Sequence, residues 1–141
     1  MASIQLRVPI EADPKVVFDS VAPSEGVNAW WSNHTQGPSG LNSTMKVSFP
    51  DAPITFDFEV TEQTEDRVMW RCLAGPPEWI GTNVSFDFQQ GEDGGTSLLF
   101  THDGWATTEE SFPFIAYSWA QILPHLKRFA ESGQAQPFFD F

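Results

Sequence analysis

The chain has 141 residues, enough for one domain with a substantial core, and 19 acidic against 7 basic residues give it a formal net charge of −12. Such an acidic surface repels phosphate backbones and anionic bilayers, so we expect neither nucleic-acid binding nor membrane insertion. The single cysteine, Cys72, excludes an intrachain disulfide and a cysteine-based zinc site. The first residues alternate apolar and polar, unlike a signal peptide, and we therefore expect a cytoplasmic protein.

The N-terminal third predicts one strand and two short helices. Apolar residues alternate with polar ones from Ile4 to Ile10, which is typical of a half-buried strand. Asp13-Pro14 predicts a helix start, and the helix should run to about Ala22 with Val16, Val17 and Val21 buried. A second helix is predicted over residues 25–31, and the polar residues 32–43 predict a loop.

The middle of the chain predicts an antiparallel meander. Strands are expected near residues 44–49, 54–63, 67–73, 81–89 and 96–103, because turn-forming residues separate five alternating segments. One face of this sheet should be strongly aromatic and the other mostly polar. The predicted inner residues are Phe56, Phe58, Val60, Val68, Trp70, Cys72, Val84, Phe86, Phe88, Leu98, Phe100 and His102.

A long C-terminal helix is expected to cover the aromatic face. Thr107 and Glu110 have capping-box spacing, but Pro113 favours a helix that begins nearer Ser111 and stops at Gly133. Pro124 predicts a kink in this helix. Its apolar stripe comprises Phe112, Ile115, Trp119, Ile122 and Leu126.

Two further aromatic segments lie outside these strands. Adjacent helical residues point about 100° apart, so of Trp30 and Trp31 we expect one in the core and the other partly exposed at a cavity entrance. Trp79 and Trp105 are expected at the rim. The tail 134–141 contains three phenylalanines, which we expect to pack on the sheet, plug a cavity mouth or join a homodimer interface.

The whole chain resembles the helix-grip fold of the START/Bet v 1-like superfamily, and within it the Hsp90-ATPase-activator-homologue (AHSA1-like) branch of SRPBCC proteins. The segments that carry this resemblance are Ile10–Phe18, Ala29-Trp30-Trp31, Val68-Met69-Trp70, Gly95–Leu98, Thr101–Trp105 and Trp119–Gly133. The resemblance implies a single α+β domain over residues 1–141, with a curved antiparallel sheet wrapped around a long C-terminal helix and two short N-terminal helices. It also implies an internal cavity between the sheet and that helix.

Binding of a hydrophobic or aromatic small molecule in this cavity is the leading functional hypothesis. The predicted ligand contacts are Trp31, Phe56, Phe58, Trp70, Phe86, Phe88, Phe100, His102, Phe112 and Trp119. The alternatives are a cyclase- or hydrolase-like pocket enzyme with His102 as acid/base, and a module that interacts with an Hsp90-type chaperone. The spacing of His34, His102 and His125 does not match a metal site, and no cofactor motif is present.

Overall fold

The computed structural model describes residues 1–141 and contains one seven-stranded antiparallel sheet and three α-helices. The strand order is β1-β7-β6-β5-β4-β3-β2. The strands are β1 (Ala2–Ile10), β2 (Thr35–Gln36), β3 (Thr44–Phe49), β4 (Ile54–Gln63), β5 (Arg67–Ala74), β6 (Asn83–Gln90) and β7 (Thr96–Trp105), and the helices are α1 (Pro14–Val21), α2 (Ser24–Trp30) and α3 (Phe112–Ser132). The predicted α+β architecture, with a curved sheet, two short N-terminal helices and a long C-terminal helix, is confirmed.

Helix α1 begins where the sequence predicts. The carboxylate of Asp13 accepts a hydrogen bond of 2.8 Å from the backbone N–H of Lys15, and Pro14 occupies the first turn. Val17 and Val21, four residues apart on one helix face, are fully buried. The predicted burial of Val16 is wrong, because this residue lies about 100° away from that face and is 43% exposed.

The predicted division of Trp30 and Trp31 into one buried and one exposed residue is also wrong, since both indoles are almost completely buried. Trp30 is the last residue of α2 and packs on the α1 side, where its Nε1 donates to the carbonyl of Ser20. Trp31 follows the helix end and packs against the aromatic rings of β3, β4 and α3. The two indoles stack with their ring centroids 6.4 Å apart, and both are inward because protein surrounds this helix end on several sides.

The sheet faces match the predicted alternation, and every predicted inner residue from Phe56 to His102 is buried. The strand limits differ slightly: β5 ends at Ala74, β6 runs from Asn83 to Gln90, and β7 continues to Trp105. The segment predicted as a loop over 32–43 contains the short strand β2, in which Thr35 pairs with Val47 of β3. Trp79 and Trp105, expected at a rim, are both buried.

Helix α3 runs from Phe112 to Ser132, with Gly133 as its C-cap, close to the predicted limits. The capping box does not form: Thr107 Oγ1 accepts a hydrogen bond from the N–H of Glu109, and Glu110 adopts a left-handed conformation with φ 58°. Gly133 terminates the helix with φ 75°, a conformation that glycine adopts without steric cost. Pro124 lies inside the helix on its exposed face, where water can satisfy the backbone group that proline leaves unpaired.

Candidate functional site

A cavity of about 380 Å³ lies between α3, the β3–β4 end of the sheet and the C-terminal tail. This volume is within the usual range for small-molecule sites, which begins at about 300 Å³. Twelve of its 14 lining residues are hydrophobic. The lining consists of Trp31, Phe49, Asp51, Ala52, Ile54, Phe56, Trp79, Phe114, Ile115, Ser118, Trp119, Ile122, Phe139 and Phe141.

Three of the ten predicted ligand contacts line this cavity. Trp31 and Trp119 pack with their ring centroids 4.9 Å apart, and the Phe56 ring lies 5.9 Å from that of Trp31. Trp31 follows the end of α2, Trp119 lies in α3 and Phe56 lies in β4. The tertiary fold therefore brings them together from distant parts of the chain. Their role as ligand contacts stays a prediction.

The other seven predicted contacts do not line the cavity; six are buried in the core, and Phe112 is partly buried against it. Four of them form a continuous aromatic row behind the cavity wall: Phe58, Trp70, Phe86 and Phe100, with successive ring centroids 4.9–5.5 Å apart. Phe88 packs against the ring of Phe18 in α1, and Phe112 packs against Trp105. His102 lies among Trp79, Trp105 and Trp119.

Several cavity residues were not among the predicted contacts. Two of them, Asp51 and Ala52, belong to the turn between β3 and β4, and Ile54 is the first residue of β4. The turn-forming residues of this segment predicted only a connection between two strands. Phe114 and Ser118 project from α3 at helical spacing, outside the apolar stripe identified in the sequence. Phe114 and Ser118 are four residues apart, which places them on one face of the helix. This spacing was the only feature of the sequence that indicated that the two residues lie close together.

The tail over residues 134–141 forms one wall of the cavity, and two of its phenylalanines, Phe139 and Phe141, line it. The tail is held by backbone hydrogen bonds to the end of α2. The N–H groups of Gln136, Phe138 and Phe139 donate to the carbonyls of Ala29, Trp30 and Trp31 at 2.8–3.0 Å. These carbonyls lie in and just after the last helical turn, where backbone acceptors lack partners within the helix. The tail therefore completes the end of α2 and closes the cavity on that side.

His102 is the centre of a buried hydrogen-bond chain next to the cavity wall. The indole Nε1 of Trp119 donates to His102 Nδ1 at 3.1 Å. An indole nitrogen is only a donor, so Nδ1 carries no proton and the neutral ring is protonated on Nε2. That N–H donates to Thr82 Oγ1 at 2.8 Å, and the Thr82 hydroxyl donates to the carbonyl of Trp79 at 2.6 Å.

Burial lowers the pKa of His102 from 6.5 to about 3, because the charged imidazolium cannot be hydrated in the core. Both ring nitrogens are already occupied, and the ring does not line the cavity. This geometry offers no free nitrogen for acid/base chemistry on a bound molecule. It does fix the orientation of the Trp119 indole, which is part of the cavity wall.

Cys72 is an unreactive thiol in this environment. Its side chain is buried, and its Sγ donates to the carbonyl of Ala74 at 3.4 Å. Burial raises the pKa of the thiol to about 11, so the nucleophilic thiolate is scarce at neutral pH. No group of three or more His, Cys, Asp or Glu side chains is arranged to hold a metal ion. None of the helices combines the length and apolar character that a membrane span requires.

No protein-family profile matches the chain, and no curated protein matches it. Among solved structures, the chain is similar to Aha1 from Colwellia psychrerythraea, which was solved as a dimer, with a TM-score of 0.82 and 32% identity over 94% of this chain and 98% of that one. It shares its fold with DynU16, a protein of the dynemicin biosynthetic locus, with a TM-score of 0.79 and 21% identity, over 99% of this chain and 51% of that one. It also shares its fold with SSP2350 from Staphylococcus saprophyticus, with a TM-score of 0.76 and 14% identity over 96% of both chains.

The similarity to the Colwellia protein extends over almost the entire length of both chains and exceeds 30% identity. The chain belongs to the Aha1-like (Hsp90 ATPase activator homologue) family of the SRPBCC, START/Bet v 1-like superfamily.

Proposed function

We propose that this protein binds a hydrophobic or aromatic small molecule in the cavity between α3, the β3–β4 end of the sheet and the tail. The observation that carries the proposal is the space of about 380 Å³ with almost entirely apolar walls. An apolar space of this size therefore favours ligand binding over plain core packing.

The geometry of the walls suits a flat aromatic ligand. Trp31, Trp119 and Phe56 present large rings, and such rings bind other rings in stacked or edge-to-face contacts. The hydrogen bond from Trp119 to His102 holds one of these rings in place before any ligand arrives. A wall that is already oriented avoids part of the entropy cost of binding.

Exposed apolar residues surround the mouth of the cavity, and a ligand would enter between them. Phe114 is 66% exposed, Phe141 is 40% exposed and Ile54 is 37% exposed, and all three line the cavity. The first lies on α3 and the second in the tail, so entry would take place between these two segments.

A binding experiment with a neutral fluorescent probe, N-phenyl-1-naphthylamine, tests the proposal. The wild-type protein should bind it saturably with one site, and Ser118→Phe should weaken the affinity by at least about tenfold, because the new ring occupies the cavity. Ala120→Phe is the matched control, since this position is on the same helix but is exposed and does not line the cavity. Absence of saturable binding to the wild type, or equal affinity in Ser118→Phe, would contradict the proposal.

Native mass spectrometry of the purified protein provides a complementary measurement. A small molecule that co-purifies with the wild type and is absent from Ser118→Phe would support the same site. Retention of the same molecule by both proteins would place it elsewhere.

A homodimer is a second proposal, which the dimeric state of the Colwellia relative favours. On this chain, Phe114 and Tyr117 are 66% and 60% exposed and lie three residues apart on α3, so they form a contiguous apolar surface. Sedimentation velocity should show a dimer that Phe114→Ser converts to a monomer, whereas Arg128→Ser, near the other end of the helix, should leave it intact. A wild-type monomer at all concentrations would refute this proposal.

Association with an Hsp90-type chaperone is the third hypothesis, and membership of the Aha1-like family is the observation that favours it. A pulldown with purified Hsp90 tests it. Absence of an interaction would count against a chaperone role without affecting the small-molecule proposal.

A further inference from the structure

The charged side chain at the mouth of the cavity is negative. Asp51 is the only one of the 14 lining residues with an ionisable side chain, and it lies in the exposed turn between β3 and β4. Its carboxylate makes no hydrogen bond and no ion pair within the chain. No Lys, Arg or His side chain lines the cavity. The mouth therefore presents an uncompensated negative charge to an incoming molecule.

None of the seven cationic side chains lines the cavity, and four of them, Lys15, Lys46, Arg67 and Lys127, form ion pairs with carboxylates elsewhere. Lys46, the basic residue of β3, is paired with Asp57 at 2.8 Å on the outer face of the sheet. Lys127 and Arg67 are paired with carboxylates of α3 and of the sheet. With a formal net charge of −12, the rest of the molecule does not offset the field of Asp51. A carboxylate ligand would lose its hydration in the cavity and find no cation there.

The aromatic walls of the cavity favour a positively charged group on the ligand. Eight aromatic residues line the space: Trp31, Phe49, Phe56, Trp79, Phe114, Trp119, Phe139 and Phe141. The face of such a ring carries partial negative charge and attracts ammonium groups, most strongly in the case of tryptophan. Ser118 is the one hydroxyl of the lining, and its proton is committed to the carbonyl of Phe114 at 3.0 Å. The free lone pairs of that hydroxyl can only accept a hydrogen bond.

From these observations we infer that the cavity selects aromatic or apolar molecules that carry a positively charged nitrogen, with the ring system between Trp31 and Trp119 and the charged nitrogen toward Asp51. The inference rests on the proposed function, because it specifies the class of ligand for the same cavity. It distinguishes amines and quaternary ammonium compounds from fatty acids and aromatic carboxylates, which have similar apolar parts.

Three naphthalene probes that differ only in their polar end test the inference: naphthalen-2-ylmethyl-trimethylammonium, 2-naphthylmethanol and 2-naphthylacetate. Binding is measured by isothermal titration calorimetry at pH 8 and low salt. The ammonium probe should bind at least about fivefold more tightly than the neutral alcohol, a factor that corresponds to one exposed charge pair plus ring contacts. The carboxylate probe should bind more weakly than the alcohol, and added salt should reduce both differences.

Asp51→Asn should lower the affinity for the ammonium probe by roughly fivefold and leave the affinity for the alcohol unchanged. Asp66→Asn is the matched control, because it removes the same charge from an exposed aspartate that forms no ion pair and does not line the cavity. This control should leave the order of the three probes unchanged.

The outcomes separate the two proposals. If 2-naphthylmethanol and the ammonium probe both fail to bind, the proposed function itself is wrong. If all three probes bind equally, or the carboxylate binds most tightly, the charge preference is wrong while cavity binding stands. If Asp51→Asn and Asp66→Asn weaken ammonium binding to the same extent, the preference comes from the overall charge and its assignment to Asp51 is overturned.

Discussion

The buried histidine makes a quantitative prediction about stability and pH. His102 is fully buried and its pKa is lowered from 6.5 to about 3 by burial. In the unfolded chain the imidazole takes up a proton near its ordinary pKa, whereas in the folded protein it stays neutral to a much lower pH. The unfolded state therefore binds more protons below about pH 6.5, so the free energy of unfolding is at its full value above that pH and falls as the pH decreases toward 3.

The size of this effect follows from the two pKa values. One pKa unit corresponds to 1.36 kcal/mol, so the complete effect is about 5 kcal/mol, reached at roughly pH 3. Between pH 8 and pH 5 the loss attributable to His102 is about 2 kcal/mol. This window avoids the acidic range in which carboxylates are protonated. It also avoids the alkaline range in which Cys72, with its pKa raised to about 11, affects stability.

Urea unfolding of the wild type and of His102→Gln at pH 8 and pH 5, followed by tryptophan fluorescence and circular dichroism, measures this loss. The variant should be less stable at pH 8, because glutamine reproduces only one of the two hydrogen bonds of the ring. From pH 8 to pH 5, however, it should lose about 2 kcal/mol less than the wild type. The reduced charge repulsion of an acidic chain at pH 5 affects both proteins and cancels in this difference.

His34→Gln, at an exposed histidine, is the control and should retain the wild-type loss because His102 is still present. Equal pH dependence in the wild type and His102→Gln would refute the conclusion that the ring is held neutral in the core. It would also reopen the acid/base hypothesis for this residue.

Further predictions concern packing and the tail. Trp30→Phe should destabilise the protein by about 1–3 kcal/mol more than Trp31→Phe in urea unfolding, because only the Trp30 indole N–H has a hydrogen-bond partner; equal losses would contradict this reading. Gly26→Ala should cost about 1–3 kcal/mol, since a Cβ there would lie 2.3 Å from a backbone oxygen of α1; an unchanged unfolding midpoint would show that the two helices can separate freely. Cys72 should react slowly with a thiol reagent at pH 8 and quickly in urea, and equal rates would show that it is accessible when folded. Deletion of residues 136–141 should lower stability and raise the exchange rate of bound N-phenyl-1-naphthylamine; no change in either would mean that the tail neither supports α2 nor closes the cavity.

Most of the fold was predictable because its signals are local. Alternation with a period of two identified the inner face of every long strand, and all of those residues, from Phe56 to His102, are buried. Asp13-Pro14 and Gly133 set helix limits through cap geometry that depends on a few neighbouring residues. The long C-terminal helix and its inward stripe followed from the helical spacing of Trp119, Ile122 and Leu126.

The location of the cavity was not predictable in the same way. The alternation in a strand predicts that all residues of one face point inward. Only tertiary packing decides which of them touch other side chains and which border an open space. Phe58 and Phe56 are alternate residues of β4, yet Phe56 lines the cavity and Phe58 belongs to the aromatic row behind it. Periodicity describes the direction of a side chain and contains no information about what lies opposite it.

The same distinction applies to Trp31, His102 and the tail. The sequence established that the chain builds a sheet with one aromatic face and a long helix to cover it, because strand and helix periods are properties of neighbouring residues. Only the folded chain brings Asp51, Trp119 and Phe139 to one cavity and joins His102 to Trp119 and Thr82. Those contacts link residues that are far apart in the sequence. The residues become buried and form their hydrogen bonds only when the sheet packs on the helix and the tail crosses the end of α2.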